Sequence, residues 1–276
     1  MNTRNAAVEG RFYPSTKNKI FGQIREIESA GRYTLTELSP VRIFGVVLPH
    51  AGHLYSGYQT IPFFKLINRL EVVPETFVIV HPNHSGHGQS LAVDDADVWR
   101  NSIGDVPIDR EFASALDLPY DRMAHAREHS AEVIIPFMQY YSGDHPFSII
   151  PICLMDQSYE NSVLVAERIR DAIRLTGRKI MVLASCDFSH FLPPEDGKQK
   201  DQLVLESILS RNTKGVEMAV KKHHVTVCGY GPIMALMEYA GGLNPDYKME
   251  ILARGHSGEV IPSREVVNYI SMIMYQ

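Results

Sequence analysis

Four short apolar runs, separated by segments with helical spacing, constrain the fold of this chain more than any other feature. The runs cover residues 43–48, 76–80, 147–154 and 179–184. Each has the length of a strand and is apolar on both faces, as strands are when helices cover both sides of a sheet. Because these runs alternate with helical segments, the pattern predicts an α/β fold with a mixed, largely parallel central sheet flanked by helices on both faces.

The segments between and after the runs predict the remaining elements. Helices are expected at residues 58–70, 130–140, 161–175, 203–209, 215–220 and 231–239, and late strands at 248–253 and 266–274. The segment 191–198, which contains two prolines, is predicted to be a loop that frames a cleft. We see no linker, and 276 residues are within the reach of one α/β fold, so we expect a single domain over residues 1–276.

Charge and cysteine content exclude several classes of protein. The formal net charge is −5, and the densest basic spot is only Lys221-Lys222, which argues against a nucleic-acid partner. Apolar runs fall short of the roughly 18 residues that a membrane span requires, so no membrane partner is expected. The odd, small set of Cys153, Cys186 and Cys228 indicates free thiols in a reducing, cytoplasmic compartment. Cys153 and Cys186 are expected to be small buried hydrophobes.

Three of the 12 histidines follow the ends of predicted strands. His50 comes after the first run, His84 after the second and His190 after the fourth. Ligands of open α/β sheets bind beyond the carboxyl ends of the strands, so these loops converge if the strands are parallel neighbours. Imidazole binds zinc, copper and iron, and Cys228, in a glycine-containing segment before a predicted helix, could add a thiolate. The pattern indicates a shared metal or catalytic site.

Each of these residues also has a structural alternative. A histidine at a strand end can be held by ordinary hydrogen bonds, and Cys228 alone is typical of a small buried hydrophobe. Asp187 either orients an imidazole or caps a turn. Glu128 and His129 either cap the start of a helix or stand at the wall of the cleft. Three further histidines are left unranked as donors: His53, His81 and His87.

Several short motifs resemble those of one known family. They are Gly10-Arg11-Phe12-Tyr13-Pro14, Pro49-His50-Ala51-Gly52 with Tyr55-Ser56-Gly57, Pro82-Asn83-His84, Gly104-Asp105-Val106-Pro107, Glu128-His129-Ser130, Asp187-Phe188-Ser189-His190, Cys228-Gly229-Tyr230-Gly231-Pro232 and Ser257-Gly258-Glu259-Val260. Each motif alone is weak, but together they cover nearly the whole chain in one order. The chain resembles the Memo family, whose prokaryotic members are also called AmmeMemoRadiSam system protein B.

The resemblance implies a fold, a metal and a set of site residues. The Memo family is similar in fold to class III extradiol (LigB-like) dioxygenases, which hold a non-haem iron(II) with two histidines and a carboxylate and use another histidine as acid/base. By this resemblance His50 and His84 match metal-ligand histidines, and Cys228 matches a cysteine that faces them. His190 matches a histidine on the other side of the cleft, with Asp187 beside it. The implied metal is iron or copper, with zinc as a further candidate.

Three residues depart from the usual family pattern. His81 stands where glycine is usual, Cys186 where serine is usual, and His53 where an aromatic residue is common. A cysteine in place of the dioxygenase carboxylate also makes the donor set softer, which favours Cu(I), zinc or iron–sulfur-type ligation over ordinary oxygenase iron. Classical ring cleavage is therefore not the expected reaction.

Two functions follow as hypotheses. The first is a metal-dependent oxidoreductase, in which His190, Asp187, Glu128 and His129 form the catalytic surroundings of the ion and the substrate is an unknown small molecule or peptide. The second is a non-catalytic module that binds a peptide or protein in a vestigial dioxygenase cleft. A zinc hydrolase, with Glu128 or His190 as general base, is a third reading. Homo-oligomer formation is left open.

Overall fold

The computed structural model describes residues 2–33, 35 and 37–276. In these residues the strands are β1 Thr3–Asn5, β2 Ile43–Leu48, β3 Thr76–Pro82, β4 Leu91–Val93, β5 Val98–Arg100, β6 Asp105–Pro107, β7 Ser148–Leu154, β8 Ile180–Ser185, β9 His190–Leu192, β10 Lys248–His256 and β11 Val266–Tyr275. The helices are α1 Lys17–Ser29, α2 His53–Arg69, α3 Arg110–Ala115, α4 Ile135–Ser142, α5 Tyr159–Thr176, α6 Pro194–Leu209, α7 Thr213–His223 and α8 Tyr230–Leu243.

The main sheet is mixed, with a parallel centre and antiparallel edges. Across the described residues its strand order is β10-β11-β2-β8-β3-β7-β4, and β9 pairs with β11. The strands β2, β8, β3 and β7 are parallel neighbours, whereas β4, β10 and β11 pair antiparallel. The α/β class is confirmed, but the parallel part is confined to the four central strands because β11 returns beside β2 in the opposite direction. A smaller sheet joins β1, β5 and β6.

Helices cover both faces of the central strands. Every residue of β2 and β3 is buried, and successive side chains of a strand point to opposite faces. Helix α8 packs against β2, β3 and β8, and α5 packs on α8; α2 packs against β2, β10 and β11, with α1 and α4 packed on α2. Among the helices in the described part of the chain, none combines the length and the apolar character needed to cross a lipid bilayer.

The predicted elements and the structure differ mainly where local signals are short. The segment 191–198 was expected to be a loop, and that prediction is wrong: its first residues lie in β9, and α6 starts at Pro194. A proline in the first turn of a helix loses no intrahelical hydrogen bond, so it marks a start here and not a break. The sheet of β1, β5 and β6 went unpredicted because strands of three residues carry almost no periodic signal.

At Gly45 in β2, the neighbouring strand and helix leave no room for a side chain. A Cβ at this position would lie 2.3 Å from the carbonyl oxygen of Val182 in β8 and 2.5 Å from Cδ1 of Leu236 in α8. The backbone of a paired central strand cannot move away cheaply. We therefore expect Gly45→Ala to lower the free energy of unfolding by about 1–3 kcal/mol, as overpacking does, measured by urea denaturation.

Gly22→Ala is the matched control for this prediction. Gly22 lies inside α1, and a Cβ there would meet no atom within 4 Å. Alanine in a helix interior is favoured over glycine by about 0.5–1 kcal/mol, so this variant should unfold at an equal or higher urea concentration. If Gly45→Ala and the unmodified chain were half-unfolded at the same urea concentration, β2 and β8 would accommodate the added methyl group without loss of stability, and the prediction would be wrong.

Candidate metal centre

The three parallel strands that precede the predicted histidines end side by side. Strand β8 lies between β2 and β3, with Leu48 opposite Ser185 and Val80 opposite Ala184. The loops that follow these strands therefore leave the sheet at the same edge and at the same level. This edge is where the topology of an open α/β sheet places ligands.

His50 is held in one orientation by hydrogen bonds at its backbone and its ring. It is 2% exposed, its N–H donates to Asp187 Oδ1 over 2.8 Å, and its Nδ1 lies 2.7 Å from Ser185 Oγ. The Ser185 hydroxyl donates to the Ser130 carbonyl oxygen over 2.6 Å, so Ser185 Oγ is left to accept from His50 Nδ1–H. We therefore assign the free lone pair to His50 Nε2, which lies 3.2 Å from Cys228 Sγ.

His84 is oriented by the buried carboxylate of Glu128. Its Nδ1 lies 3.0 Å from Glu128 Oε1, and an ionised carboxylate only accepts, so Nδ1 carries a hydrogen and Nε2 is the nitrogen that can bind an ion once it loses its own proton. Glu128 is 1% exposed and also accepts the backbone N–H groups of His84, Ser85, His129 and Ser130. One carboxylate thus fixes both the ring of His84 and the loop that carries it. The side chain of His84 is still 33% exposed to solvent.

Cys228 completes a compact group of donor atoms. The ligand atoms of His50, His84 and Cys228 all lie within 4.8 Å of one another, and His84, Glu128 and His129 form a second, overlapping group. Zinc binds imidazole nitrogen and thiolate sulfur at about 2.0–2.3 Å. Donors bound to one ion are therefore separated by no more than about twice that length, so small side-chain movements would bring the first group onto a common ion.

The protonation states of the donors follow from burial and from the neighbouring charges. Burial, with His84 and His129 nearby, lowers the pKa of His50, so this imidazole is neutral. Burial also lowers the pKa of His84, but hydrogen bonds with Cys228 and Glu128 outweigh it and raise the pKa above its usual value. Burial raises the pKa of the Cys228 thiol well above its usual range. An ion must therefore displace protons from Cys228 and His84, but not from His50.

His129 forms an aromatic wall beside the two donor imidazoles. Its ring centroid lies 4.8 Å from that of His84 and 5.4 Å from that of His50, and Phe12 packs on it at 4.8 Å. Burial lowers the pKa of His129 to about 4, so its ring is neutral near pH 7. His129 therefore adds an uncharged ring beside the two donor imidazoles.

Asp187 and His190 lie beside this group. Asp187 is 4% exposed, and burial raises its pKa to about 6. The Nδ1 of His190 lies 2.8 Å from the Thr226 carbonyl oxygen, which only accepts, so Nδ1 carries the hydrogen and Nε2 is free. Among the described residues, His190 belongs to neither donor group.

The three unranked histidines lie outside both donor groups of the described residues. His53 is buried in α2, where its Nε2 lies 2.8 Å from the Val133 carbonyl oxygen. His81 is buried in β3, with Nε2 3.2 Å from His125 Nδ1. Sequence reasoning missed Ser185, which orients His50. The only sequence feature that pointed to Ser185 was its position, as a polar residue at the end of an apolar run.

Comparisons with known proteins agree with the motifs. A family model described as "Memo-like protein" matches residues 4–273. A "MEMO1 family protein" of Archaeoglobus fulgidus is 37% identical over 273 residues, covering 98% of both chains. Another from Methanocaldococcus jannaschii is 34% identical over 287 residues, again covering 98% of both.

One solved structure supports the fold. The crystal structure of an uncharacterized protein from Escherichia coli K12 superimposes with a TM-score of 0.55 and 13% identity, covering 83% of this chain and 99% of that one. At this identity the likeness concerns the fold alone. The family model and the two MEMO1 relatives, in contrast, match almost the full length of this chain. The chain belongs to the Memo family.

Proposed function

We propose that this Memo-family chain binds one transition-metal ion through His50, His84 and Cys228 and uses it in a redox reaction in the cytoplasm. The observation that carries the proposal is the grouping of these three donor atoms within 4.8 Å. Both imidazoles have Nδ1 committed to a fixed partner, which leaves Nε2 available, as outer hydrogen bonds do for metal-bound histidines. Such a pre-set orientation is typical of metal-bound histidines.

The donor set favours a metal that accepts nitrogen and sulfur together. Two imidazoles and one thiolate suit copper and zinc, and iron also binds both donor types. For a redox reaction we propose copper or iron before zinc. Copper and iron would each supply a one-electron couple at the site, whereas zinc would supply only a Lewis acid.

The surrounding residues have separate roles in this proposal. Glu128, with both oxygens engaged by backbone and ring N–H groups, is a positioning residue for His84. Asp187 positions the loop of His50 through the backbone N–H. His190 holds a free Nε2 at the side of the cleft and is the group we assign to proton transfer. His129 is uncharged at neutral pH and shapes the cleft beside the donors.

A binding role without chemistry is the second candidate, and Phe191 favours it. Its side chain is 72% exposed directly after His190, and its backbone holds a φ of 58°. A bulky residue in the left-handed region is rare and persists only where the surrounding structure imposes it. An exposed aromatic ring held in that way beside the cleft suits contact with an apolar side chain of a peptide or protein.

Measurements of metal content and of oxygen consumption distinguish the two candidate functions. We would purify the full chain without oxygen or added metal, measure copper, iron and zinc, and follow oxygen consumption with catechols and thiols. Near-stoichiometric copper or iron together with metal-dependent oxygen consumption supports the redox function. Metal-free protein that also fails to bind added Cu(I) or Fe(II) would overturn it and leave the binding role.

Metal binding should become tighter as the pH rises. The pKa values of Cys228 and His84 are both raised, so near neutral pH each carries a proton that the ion must replace. We expect about two protons to be released for each Co(II) bound, measured by calorimetry in buffers of different ionisation enthalpy. His50 should contribute none, because its pKa is lowered. An affinity that does not change with pH would contradict this assignment of protons.

A further inference from the structure

Two cysteines from distant parts of the chain meet beside the candidate metal centre. Cys186 follows β8 and Cys228 precedes α8. Their thiols lie 3.2 Å and 3.4 Å from the same atom, the carbonyl oxygen of Asp187. Cys186 also influences the pKa of Cys228 through a side-chain hydrogen bond, second only to burial. The two sulfur atoms are therefore immediate neighbours.

The two segments engage each other reciprocally. The N–H of Asp187, which follows Cys186, donates to Cys228 Sγ over 3.3 Å. The N–H of Gly229, which follows Cys228, donates to Cys186 Sγ over 3.2 Å. Each sulfur thus lies against the backbone of the other cysteine's segment. A Cβ on Gly229 would lie 2.7 Å from the Cβ of Cys186, so glycine permits this close approach.

The two thiols differ in their access to solvent. Cys186 is 0% exposed, whereas Cys228 is half-buried and opens into the cleft beside His50. An oxidant that enters the cleft therefore meets Cys228 first. Once Cys228 has reacted, the buried thiol of Cys186, which contacts the same Asp187 carbonyl oxygen, is the neighbouring group placed to react with it.

From this geometry we propose that Cys186 and Cys228 are a redox pair, in which a peroxide oxidises Cys228 and Cys186 closes a reversible disulfide. Cys228 Sγ passes its proton to the free lone pair of His50 Nε2, 3.2 Å away, and attacks the peroxide. The O–O bond breaks, Cys228 becomes a sulfenic acid, and the departing oxygen takes up the proton and leaves as water or an alcohol. The Cys186 sulfur then attacks the Cys228 sulfur, an S–S bond forms, and the S–O bond breaks with release of water. In total two thiols lose two electrons and two protons, and one peroxide accepts them.

The pair would protect the site and control it. Without a second thiol, a sulfenic acid can be oxidised further to a sulfinic acid, which ordinary thiols do not reverse. A disulfide can be returned to two thiols by thiol exchange, as expected for a transient disulfide in a reducing compartment. The disulfide would also remove the Cys228 thiolate from the donor group; this consequence rests on the proposed metal-binding function.

The decisive experiment uses the full chain freed of metal by a chelator. After exposure to hydrogen peroxide, free thiols are blocked and the denatured protein is digested without reductant and analysed by mass spectrometry. We expect a peptide that joins Cys186 to Cys228, a loss of two hydrogen atoms from the intact mass, and recovery of both thiols with dithiothreitol. Finding Cys228 as sulfinic acid with Cys186 still a free thiol would overturn the proposal.

Matched variants distinguish a resolving thiol from a bystander. In Cys186→Ser, Cys228 should accumulate as a sulfenic acid that dimedone traps, followed by irreversible sulfinic acid. In Cys153→Ser, which removes a buried thiol whose Sγ contacts Ala124 and Pro82 carbonyl oxygens, the Cys186–Cys228 disulfide should form as before. Equal hyperoxidation of Cys228 with and without Cys186 would also overturn the proposal.

A second readout keeps this inference separate from the metal-binding proposal. Co(II) binding is measured for the reduced protein, for the disulfide form and after reduction with dithiothreitol. Loss of binding on oxidation and its full return on reduction supports a switch at the metal centre. If the reduced protein binds no metal but the Cys186–Cys228 peptide still forms, the proposed metal site fails while the redox pair stands.

Discussion

His50→Ala is expected to weaken metal binding by more than about 100-fold, because it removes one of three donors from the group. Loss of an outer hydrogen-bonding partner of a ligand already costs about 10- to 100-fold in affinity, and loss of the ligand itself should cost more. Cys228→Ala should have a comparable effect. The measurement is a competition titration of the reduced, metal-free protein with Co(II) or Cu(I) against a chromophoric chelator.

Two further variants sharpen this prediction. Ser185→Ala leaves every donor in place but removes the acceptor of His50 Nδ1–H, so we expect the intermediate loss of about 10- to 100-fold. His87→Ala removes an exposed histidine three residues after His84 in the same loop and should leave the affinity unchanged. If His50→Ala and His87→Ala bound metal equally well, the three-donor site would be wrong.

Glu132→Ala is expected to lower the free energy of unfolding by about 3–5 kcal/mol, the cost of leaving a buried charge without its partner. Glu132 is 2% exposed and forms an ion pair with Arg4, which is 4% exposed. Its oxygens also accept the N–H groups of Ala7 and Val8 and the hydroxyl of Tyr13. Urea denaturation of the metal-free protein gives the measurement.

Glu132→Ala should also disturb the candidate site, because Glu132 holds Arg4 and Arg4 contacts the segment that carries Glu128. Arg4 donates to the backbone carbonyl oxygens of His125 and Glu128, so it ties the N-terminal segment to the backbone of the residue whose carboxylate orients His84. We expect Glu132→Ala to weaken Co(II) binding even at temperatures where it remains folded. Asp105→Ala, which breaks a solvent-exposed ion pair with Arg100, is the control and should change neither property. A Glu132→Ala protein with an unchanged urea midpoint would refute the role of this pair.

Much of the fold could be predicted because the central strands are apolar on both faces. The run at 43–48 coincides with β2, and the other three runs agree with β3, β7 and β8 to within a few residues. The direction of β11 could not be predicted, since an apolar run does not reveal which way a strand runs. The start of α6 was also missed, because a pair of prolines is compatible with either a loop or a helix start.

The candidate site, like the fold, could be predicted only in part from the sequence. Residue types and their positions after strands placed His50 and His84 beyond the sheet edge. The glycine-containing segment before a predicted helix made Cys228 a further candidate donor, and the motif resemblance matched all three. The strand order that brings the loops together, the hydroxyl of Ser185 behind His50, and the contact between Cys186 and Cys228 join residues far apart in the chain. Cys186 was expected to be a buried hydrophobe. It is buried, but no local pattern revealed that its sulfur faces a second thiol.

The amino-acid sequence by itself determined the α/β class, the central strands and the family, because periodicity and short ordered motifs are local properties of the chain. Only the tertiary structure decided which nitrogen of each imidazole is free, which carboxylate is fully engaged, and which thiols meet. Those features depend on distances between residues separated by up to 178 positions along the chain, as for His50 and Cys228. Such distances arise from strand order and side-chain packing, which no single stretch of sequence contains.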